Sequence, residues 1–228
     1  PLMAFIKEKF PEITSLNYII NPKLNDTYFD QTPIAYSGQP FIIEKLGKFS
    51  FKVRPKSFFQ TNTSQGERLY DVVKKFAALQ GTETLYDLYA GVGSIGLYLS
   101  DNCNKLVGIE QIDQAVEDAK ENAKLNAVEN ADFHVGDVRL LLNVDFLAKN
   151  GQPDILITDP PRGGMHPEIL QTILDARVPK IVYVSCNPST QARDIAALDE
   201  FYKVVKMQAV DMFPHTVHIE NVALLELK

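Results

Sequence analysis

Cys186 is the residue whose surroundings best fit covalent chemistry. It lies in Ser185-Cys-Asn-Pro188, directly after the β-forming run Ile181–Val184. A short apolar run without alternation is typical of a strand buried in a parallel sheet, and Asn-Pro is a helix-start signal. The pattern predicts a cysteine at the carboxyl end of a strand beside a helix N-terminus, where the partial positive charge favours a thiolate nucleophile. The same pattern also fits a small buried cysteine that only packs.

Glycines and an acid follow two earlier predicted strands. Gly91, Gly93 and Gly96 come after the strand 84–89, and Glu110, at the end of the next strand, follows about 20 residues later. This spacing predicts a nucleotide cofactor whose ribose hydroxyls the acid would hold. Enzymes that use NAD and enzymes that use S-adenosylmethionine both carry it, so the glycine pattern alone does not choose between them.

Two further acids follow later strands. Asp137 comes after the strand 131–135 and is either a cofactor contact or the N-cap of the next helix. Asp159 opens Asp159-Pro-Pro-Arg162, in which two prolines fix a turn that aims the carboxylate outward, unless the segment is a plain loop. Because ligands of open α/β sheets bind beyond the carboxyl ends of the strands, we expect these side chains at one ligand-binding edge.

Strands and helices alternate strictly from residue 84 onward. Strands are predicted at 84–89, 105–109, 131–135, 154–158, 180–184 and 203–212, and helices at 64–79, from the glycine loop to 99, and at 112–126, 138–149, 167–176 and 188–198. Such alternation predicts a parallel sheet with helices on both faces. A last strand, His218–Leu227, follows the sixth after a short loop and should be antiparallel to it. This is the plan of a Rossmann-like methyltransferase, an α/β fold whose last strand lies between the fifth and the sixth.

That topology brings a second reactive group to Cys186. If the last strand runs antiparallel beside the fifth, its first residues lie at the same edge of the sheet as the end of the fifth strand. Glu220 occupies that start. We therefore expect the Cys186 thiol and the Glu220 carboxylate to be neighbours although they are distant in sequence.

Residues 1–56 do not share the alternating pattern. A short helix is predicted at 3–10 and strands at 16–20, 40–45 and 48–53. We interpret this region as a small α/β remnant of another domain, with the catalytic domain at 57–228. Residues 45–56 carry five basic side chains and no acidic one, which indicates either a solvated strand face or an edge that contacts phosphates: Lys45, Lys48, Lys52, Arg54 and Lys56.

Composition sets the broad class. A chain of 228 residues with 45% hydrophobic residues can bury one substantial core. The two cysteines, Cys103 and Cys186, show neither metal-ligand spacing nor a disulfide framework, so we expect a cytoplasmic protein without a metal. No run is long enough to span a membrane, and we expect a monomer. The net charge of −6 argues weakly against a nucleic-acid partner, and the start at Pro1 suggests a piece of a longer protein.

Five motifs together resemble the RNA (uracil-5-)-methyltransferases, the bacterial group that acts on 23S rRNA and on tRNA. The resemblance covers about residues 40–228 in unbroken order. Besides the segments 159–162 and 185–188, it includes Ser57-Phe-Phe-Gln-Thr-Asn62, Asp87-Leu-Tyr-Ala-Gly-Val-Gly93 and Asp211-Met-Phe-Pro-His-Thr-Val-His-Ile-Glu220.

The resemblance implies a cysteine nucleophile at Cys186, a general base at Glu220 and S-adenosylmethionine as the cofactor. It assigns cofactor contacts to Gln60, Tyr89, Gly91, Gly93, Ser94, Glu110, Asp137 and Asp159, although relatives often carry Asn at the position of Ser94. Asp159, Phe58 and Arg162 are the candidates for contact with the target base. The implied reaction is addition of the thiolate to C6 of a uridine, methylation at C5 and removal of the C5 proton.

Two departures from that family pattern bear on the RNA partner. Family members usually carry an N-terminal basic β-barrel and a middle domain, and some hold an iron–sulfur cluster through four cysteines. We expect this chain to lack the barrel and the cluster, so its binding of RNA without further domains stays open. The substrate expected first is 23S rRNA, with tRNA as the alternative.

Other functions remain compatible with parts of the pattern. An NAD-dependent dehydrogenase would use the same glycine loop but would leave Cys186 and Glu220 without a role. An amino-directed N-methyltransferase would carry an aromatic residue where Arg162 stands. An RNA-binding module without turnover would keep the fold alone.

Overall fold

A computed structural model describes residues 1–25, 27–28 and 30–228 of the chain. Its N-terminal part contains helix α1 (Leu2–Lys9) and strands β1 (Ser15–Tyr18), β2 (Ile34–Gly38), β3 (Ile42–Leu46) and β4 (Phe49–Val53). Strands β1 and β2 form one antiparallel pair, and β3 and β4 form another. The sequence patterns had not indicated β2. Its side chains are almost all exposed, so it lacks the buried face that makes a strand recognisable.

The remaining elements alternate as the sequence predicted. They are α2 (Thr63–Ala77), β5 (Thr84–Leu88), α3 (Ser94–Leu99), a 3₁₀ turn (Ser100–Asn102), β6 (Lys105–Glu110), α4 (Asp113–Leu125), β7 (Ala131–Val135), α5 (Val138–Leu141), α6 (Val144–Asn150), β8 (Ile155–Thr158), α7 (Pro167–Ala176), β9 (Lys180–Ser185), α8 (Pro188–Leu198), β10 (Tyr202–Val210) and β11 (Glu220–Leu227). The prediction of one continuous helix at 138–149 is wrong. This segment divides into α5 and α6 because Asn143 leaves the helical conformation and caps α6, accepting a hydrogen bond from the amide of Phe146.

The seven-stranded sheet has the order β10-β11-β9-β8-β5-β6-β7. Strand β11 is antiparallel to both of its neighbours, β9 and β10, and the other pairs are parallel. The predicted fold class and the insertion of the last strand are therefore confirmed. The register pairs Asn221 of β11 with Ser185 of β9, and this pairing fixes what meets at the carboxyl edge.

Hydrophobic side chains fill both faces of the sheet. Leu85 and Ile157 point into a core with α2, α3 and α4, whereas Tyr86 and Leu156 point into a second core with α5 to α8. Burying one such side chain contributes about 1.5–3 kcal/mol, so each layer holds the strand ends firmly in place. Helix α2 ends at Ala77 because Ala78 adopts the left-handed conformation, with φ of 48°.

The β3–β4 hairpin is attached to the main sheet through α4. Side-chain amides of Asn126 and Asn122 hydrogen-bond the backbone N–H groups of Ser50 and Lys52 at 2.8 and 2.7 Å, and also bond their carbonyls. These two asparagine side chains pair with the backbone groups of β4 that a neighbouring strand would otherwise bond. The hairpin also adds buried side chains such as Phe51 to the core beneath α2 and α4. The proposed boundary between residues 56 and 57 stays a prediction.

The basic residues of this hairpin are largely paired within the chain. Lys48 pairs with Asp101 and Lys52 with Glu121. Arg54 pairs with both Asp118 and Glu121. Arg54 and Asp118 thus hold the hairpin on α4. Lys45, Lys48 and Lys56 are exposed, as a solvated face predicts, and contact with phosphates stays a prediction. Among the described residues, no helix is long and apolar enough to cross a membrane.

Candidate active site

Cys186 and Glu220 lie side by side at the carboxyl edge of the sheet. Cys186 directly follows β9, and Glu220 is the first residue of β11. Because Asn221 pairs with Ser185 in an antiparallel ladder, the next step of the register sets Glu220 opposite Cys186. The topology thus produces the neighbourhood that the sequence predicted.

The Cys186 thiol is half-buried and carries two carboxylates as neighbours. Burial raises its pKa, and the charges of Glu220 and Asp159 raise it further. The positive charge of the Arg162 side chain opposes this shift and lowers the pKa in part. The position beside a helix N-terminus predicts a lowered pKa for this thiol, but burial and the two acids raise it. Arg162 is the side chain that favours the charged sulfur.

Glu220 has the electrostatic character of a general base for neutral pH. Burial raises its pKa to about 7, and the positive charge of Arg162 lowers it in part. Asp159 lies close by, and its pKa is raised well above the ordinary value by burial, then by the charges of Glu220 and Asp87. Asp159 therefore lies in a poorly solvated region where the charges of two other acids disfavour its ionisation.

The loop that carries Asp159 and Arg162 is fixed to helix α8. The carbonyl of Arg162 accepts hydrogen bonds from the Asn187 side-chain amide at 3.0 Å and from the Thr190 hydroxyl at 3.1 Å. Asn187 also caps α8, accepting a bond from the amide of Ser189. The loop that carries Asp159 and Arg162 and the segment that follows Cys186 are thus joined by hydrogen bonds.

The glycine loop provides a cradle on the other half of the edge. Gly91 and Gly93 have φ of 55° and 79°, which favour glycine. Nothing lies within 4 Å of where a Cβ of Gly91 would be, so the backbone can be approached closely there. The Glu110 carboxylate accepts hydrogen bonds from the amides of Gly91 at 3.0 Å and Ile112 at 2.9 Å. Backbone, open space and an oriented carboxylate fit a ligand with a ribose.

Asp137 is the N-cap of α5, as one of its two interpretations predicted. Its carboxylate accepts a bond from the amide of Arg139 at 2.9 Å and pairs with the guanidinium of the same residue. That guanidinium lowers the pKa of Asp137. Burial raises the pKa of Tyr89 to about 12, and the charges of Asp137 and Asp194 raise it further. Its φ of 63° is unusual for a residue with a side chain. The cofactor roles of Asp137 and Tyr89 stay predictions.

The aromatic pair in the 57–62 loop divides into two roles. Phe59 is buried and packs against Phe51 with ring centroids 5.5 Å apart, whereas Phe58 is 73% exposed. Only Phe58 is therefore free to stack on a ligand. Asn62 links this loop to the β10–β11 connection by donating to the carbonyl of Met212 at 2.9 Å. Gln60 is buried in the same loop and makes no hydrogen bond to another described residue.

Residues 39–228 match the family model of the tRNA (uracil-5-)-methyltransferases. The chain belongs to this family. An uncharacterized RNA methyltransferase of Bacteroides thetaiotaomicron is 50% identical over 227 residues, which cover 100% of this chain and 50% of that protein. One from Porphyromonas gingivalis is 49% identical, covering 98% of this chain and 49% of that protein. The chain thus spans about half the length of these relatives.

A solved relative has the same arrangement of elements. The tRNA (uracil-54, C5)-methyltransferase of Pyrococcus abyssi, in complex with S-adenosyl-L-homocysteine, superposes with a TM-score of 0.81 at 35% identity. The match covers 96% of this chain and 52% of that one. Trm5b of the same organism superposes with a TM-score of 0.70 at 17% identity, over 98% of this chain and 67% of that one, which shows the common fold alone.

Three polar residues of this family member were not singled out from the sequence. Asp87 is buried, accepts a bond from the amide of Gly96 at 2.9 Å and has its pKa raised to about 7 by burial. The Tyr70 and Ser94 hydroxyls share a hydrogen bond of 2.8 Å, so the side chain of the predicted cofactor residue Ser94 already has a partner within the chain. Asp194 is buried in α8. An acid inside an apolar strand or on a buried helix face is the signal that could have found Asp87 and Asp194.

Proposed function

We propose that the protein is an S-adenosylmethionine-dependent RNA methyltransferase that methylates C5 of a uridine through a covalent adduct with Cys186. The observation that carries this proposal is the pairing of a half-buried thiol with a carboxylate of pKa about 7 at the ligand-binding edge of the sheet. A thiol and a base are the two groups that this chemistry requires, because C5 of uracil is a weak nucleophile until C6 has been attacked.

The cofactor half of the edge fits S-adenosylmethionine. The Glu110 carboxylate, oriented by two backbone amides, suits the ribose hydroxyls, and the open face of Gly91 admits the cofactor closely. The relative from Pyrococcus abyssi was solved with S-adenosyl-L-homocysteine, which supports this assignment. When bound, S-adenosylmethionine supplies an electrophilic methyl group.

Cys186 acts first as the nucleophile. Its thiolate forms a bond to C6 of the uracil, and the electrons of the C5–C6 double bond move into the ring carbonyl as an enolate, which makes C5 nucleophilic. Arg162 favours the thiolate through its positive charge. Removing this guanidinium would leave the thiol with two carboxylates only.

Glu220 acts second, as the general base. Once C5 carries the new methyl group, its proton must leave before the cysteine can be expelled and the C5–C6 double bond restored. A base with a pKa of about 7 is partly ionised at neutral pH and also accepts a proton readily. Asp159, held in the adjoining loop, is the candidate for a hydrogen bond to the pyrimidine edge.

A base that reacts at C5 and C6 must leave its stack in folded RNA. Phe58 is 73% exposed in a loop that is linked to the connection preceding Glu220, so it can stack on a flipped or neighbouring base. The first candidate substrate is 23S rRNA. tRNA is the second candidate, and the activity of the relative from Pyrococcus abyssi favours it.

Nucleoside analysis of RNA from a strain without the gene tests this function. We expect mass spectrometry to show the loss of one 5-methyluridine, either in 23S rRNA or in tRNA. The wild-type gene should restore it and the Cys186→Ala gene should not. Unchanged 5-methyluridine in both RNAs would refute the proposed function.

A further inference from the structure

Helix α8 contains a buried carboxylate that the mechanism above does not use. Asp194 is 0% exposed. Its carboxylate accepts hydrogen bonds from the amide of Met165 and the hydroxyl of Tyr183, both at 2.7 Å, and from Arg193 at 2.9 and 2.7 Å. A buried charge is costly unless it is paired and hydrogen-bonded, so this set of donors is specific to a carboxylate.

These contacts converge on the loop that carries Arg162. The Arg193 guanidinium donates to the carbonyl of Gly163 at 2.8 Å, and Asp194 receives the amide of Met165. With the bonds from Asn187 and Thr190 to the Arg162 carbonyl, helix α8 holds the loop at residues 162, 163 and 165. The Asp194 carboxylate is the buried centre of this attachment.

Gly164 shows that the loop and the carboxylate are matched in shape. Its φ is 79°, a conformation that favours glycine. A Cβ at this position would lie 2.5 Å from Asp194 Oδ2 and 2.6 Å from Arg193 Nη2. The loop can therefore approach α8 this closely only with glycine at position 164.

We propose that Asp194 is a positioning residue, whose buried carboxylate holds the 162–165 loop against α8 and so sets the Arg162 guanidinium beside the Cys186 sulfur. Its consequence for catalysis rests on the proposed function, but its consequence for the thiol does not. The charged groups that face Cys186 are Glu220 from β11 and, from the segment that follows β8, Asp159 and Arg162. Arg162 is the only cation among them, so its displacement should make the thiol harder to ionise.

The pH dependence of Cys186 alkylation by iodoacetamide tests the proposal. The modified peptide is identified by mass spectrometry, because Cys103 is also present although buried. Asp194→Asn keeps the shape of the side chain but turns an N–H₂ group toward donors. We expect its alkylation midpoint to move upward by about 0.5 pH unit or more, as the loss of a nearby cation predicts.

Gly164→Ala disrupts the contact between the loop and Asp194 from the loop side. It tests the positioning role of Asp194 if Asp194→Asn does not fold. Its matched control is Gly151→Ala, since Gly151 has φ of 96° but nothing within 4 Å of the added Cβ. Both substitutions strain the backbone, whereas only Gly164→Ala should raise the alkylation midpoint. A shift of equal size in both variants would overturn the proposal.

A double-mutant cycle with Arg162→Gln separates positioning from general destabilisation. Arg162→Gln alone should raise the midpoint, and adding Asp194→Asn should then change it little, because the cation through which Asp194 acts is already gone. An unshifted profile in Asp194→Asn, or a full additional shift in the Arg162→Gln background, would overturn the proposal. Since alkylation needs no RNA, these results stand apart from the 5-methyluridine analysis that tests the proposed function.

Discussion

The carboxyl edge of the sheet has two halves whose acids have different surroundings. The proposed cofactor half holds Glu110 and Asp137, and the proposed reactive half holds Cys186, Asp159 and Glu220. On the cofactor half, Glu110 accepts two backbone amides, and Asp137 caps a helix and pairs with an arginine that lowers its pKa. On the reactive half, burial raises the pKa of Asp159 and Glu220. Among the described residues, neither the Asp159 nor the Glu220 carboxylate accepts a hydrogen bond like the two that Glu110 accepts.

This difference indicates a division of labour. The Glu110 and Asp137 carboxylates of the proposed cofactor half accept backbone hydrogen bonds that fix their orientation. The reactive half concentrates charges that its surroundings do not stabilise, which is typical of groups that exchange protons during a reaction. The same contrast predicts that substitutions in one half will change cofactor binding and those in the other will change turnover, with stability effects of opposite sign.

Loss of the nucleophile should have the largest effect. Cys186→Ala is expected to abolish methyl transfer, because the thiolate provides the step that activates C5. Its affinity for S-adenosyl-L-homocysteine, measured by calorimetry, should be unchanged, since the cofactor half does not include the sulfur. Cys103→Ala is the matched control and should keep turnover. Residual turnover in Cys186→Ala would contradict the covalent mechanism.

Loss of the base should come next. Glu220→Gln is expected to lower kcat by about 10²–10⁴-fold, the usual contribution of a general base. Because addition and methylation precede proton removal, a protein–RNA adduct should accumulate and survive denaturing gel electrophoresis. Glu226→Gln, near the other end of β11, is the control and should behave as wild type. Slow turnover without an adduct would assign Glu220 to an earlier step.

Glu110 should affect binding rather than chemistry. Glu110→Ala removes a carboxylate that two amides orient, and we expect the affinity for S-adenosyl-L-homocysteine to fall by about tenfold or more, the value of a hydrogen bond to a charged group. Glu117→Gln, which changes an exposed acid on α4, should leave the affinity unchanged. Equal affinity for wild type and Glu110→Ala would show that this half does not bind the cofactor.

Substitutions of acids in the two halves should change stability in opposite directions. These effects should be smaller than the effects on turnover and binding. The raised pKa of Glu220 means that the folded state holds its proton more tightly than the unfolded state, so stability falls as pH rises from about 4.5 to about 7. Glu220→Gln should therefore raise Tm at pH 8 by roughly 2 °C or more, and by less at pH 5.

Asp137→Ala provides the contrasting stability measurement. The lowered pKa of Asp137 gives stability that is present at neutral pH and lost on acidification, and its cap contributes about 1 kcal/mol. Its Tm should therefore fall at pH 8. Thermal scans at both pH values check the pair, and shifts of the same sign in Glu220→Gln and Asp137→Ala would remove the contrast between the two halves.

The alternating pattern predicted the sheet, because alternation is local. The plan of a Rossmann-like methyltransferase then put the last strand beside the fifth and so predicted the meeting of Cys186 with Glu220. The sequence could not predict the electrostatics. The effect expected from a helix N-terminus is a local one, whereas the acids that raise the pKa of Cys186 arrive from β8 and β11. Long-range pairing also explains the basic hairpin, whose Arg54 meets Asp118 of a later helix.

A trapped adduct with RNA containing 5-fluorouridine is the most direct test of the central claim. Fluorine replaces the proton that Glu220 would remove, so elimination is blocked after the sulfur has bonded to C6. We expect a stable complex in the presence of S-adenosylmethionine, with the nucleotide mapped by mass spectrometry to the peptide that contains Cys186. No covalent complex, or one mapped to Cys103, would contradict the account.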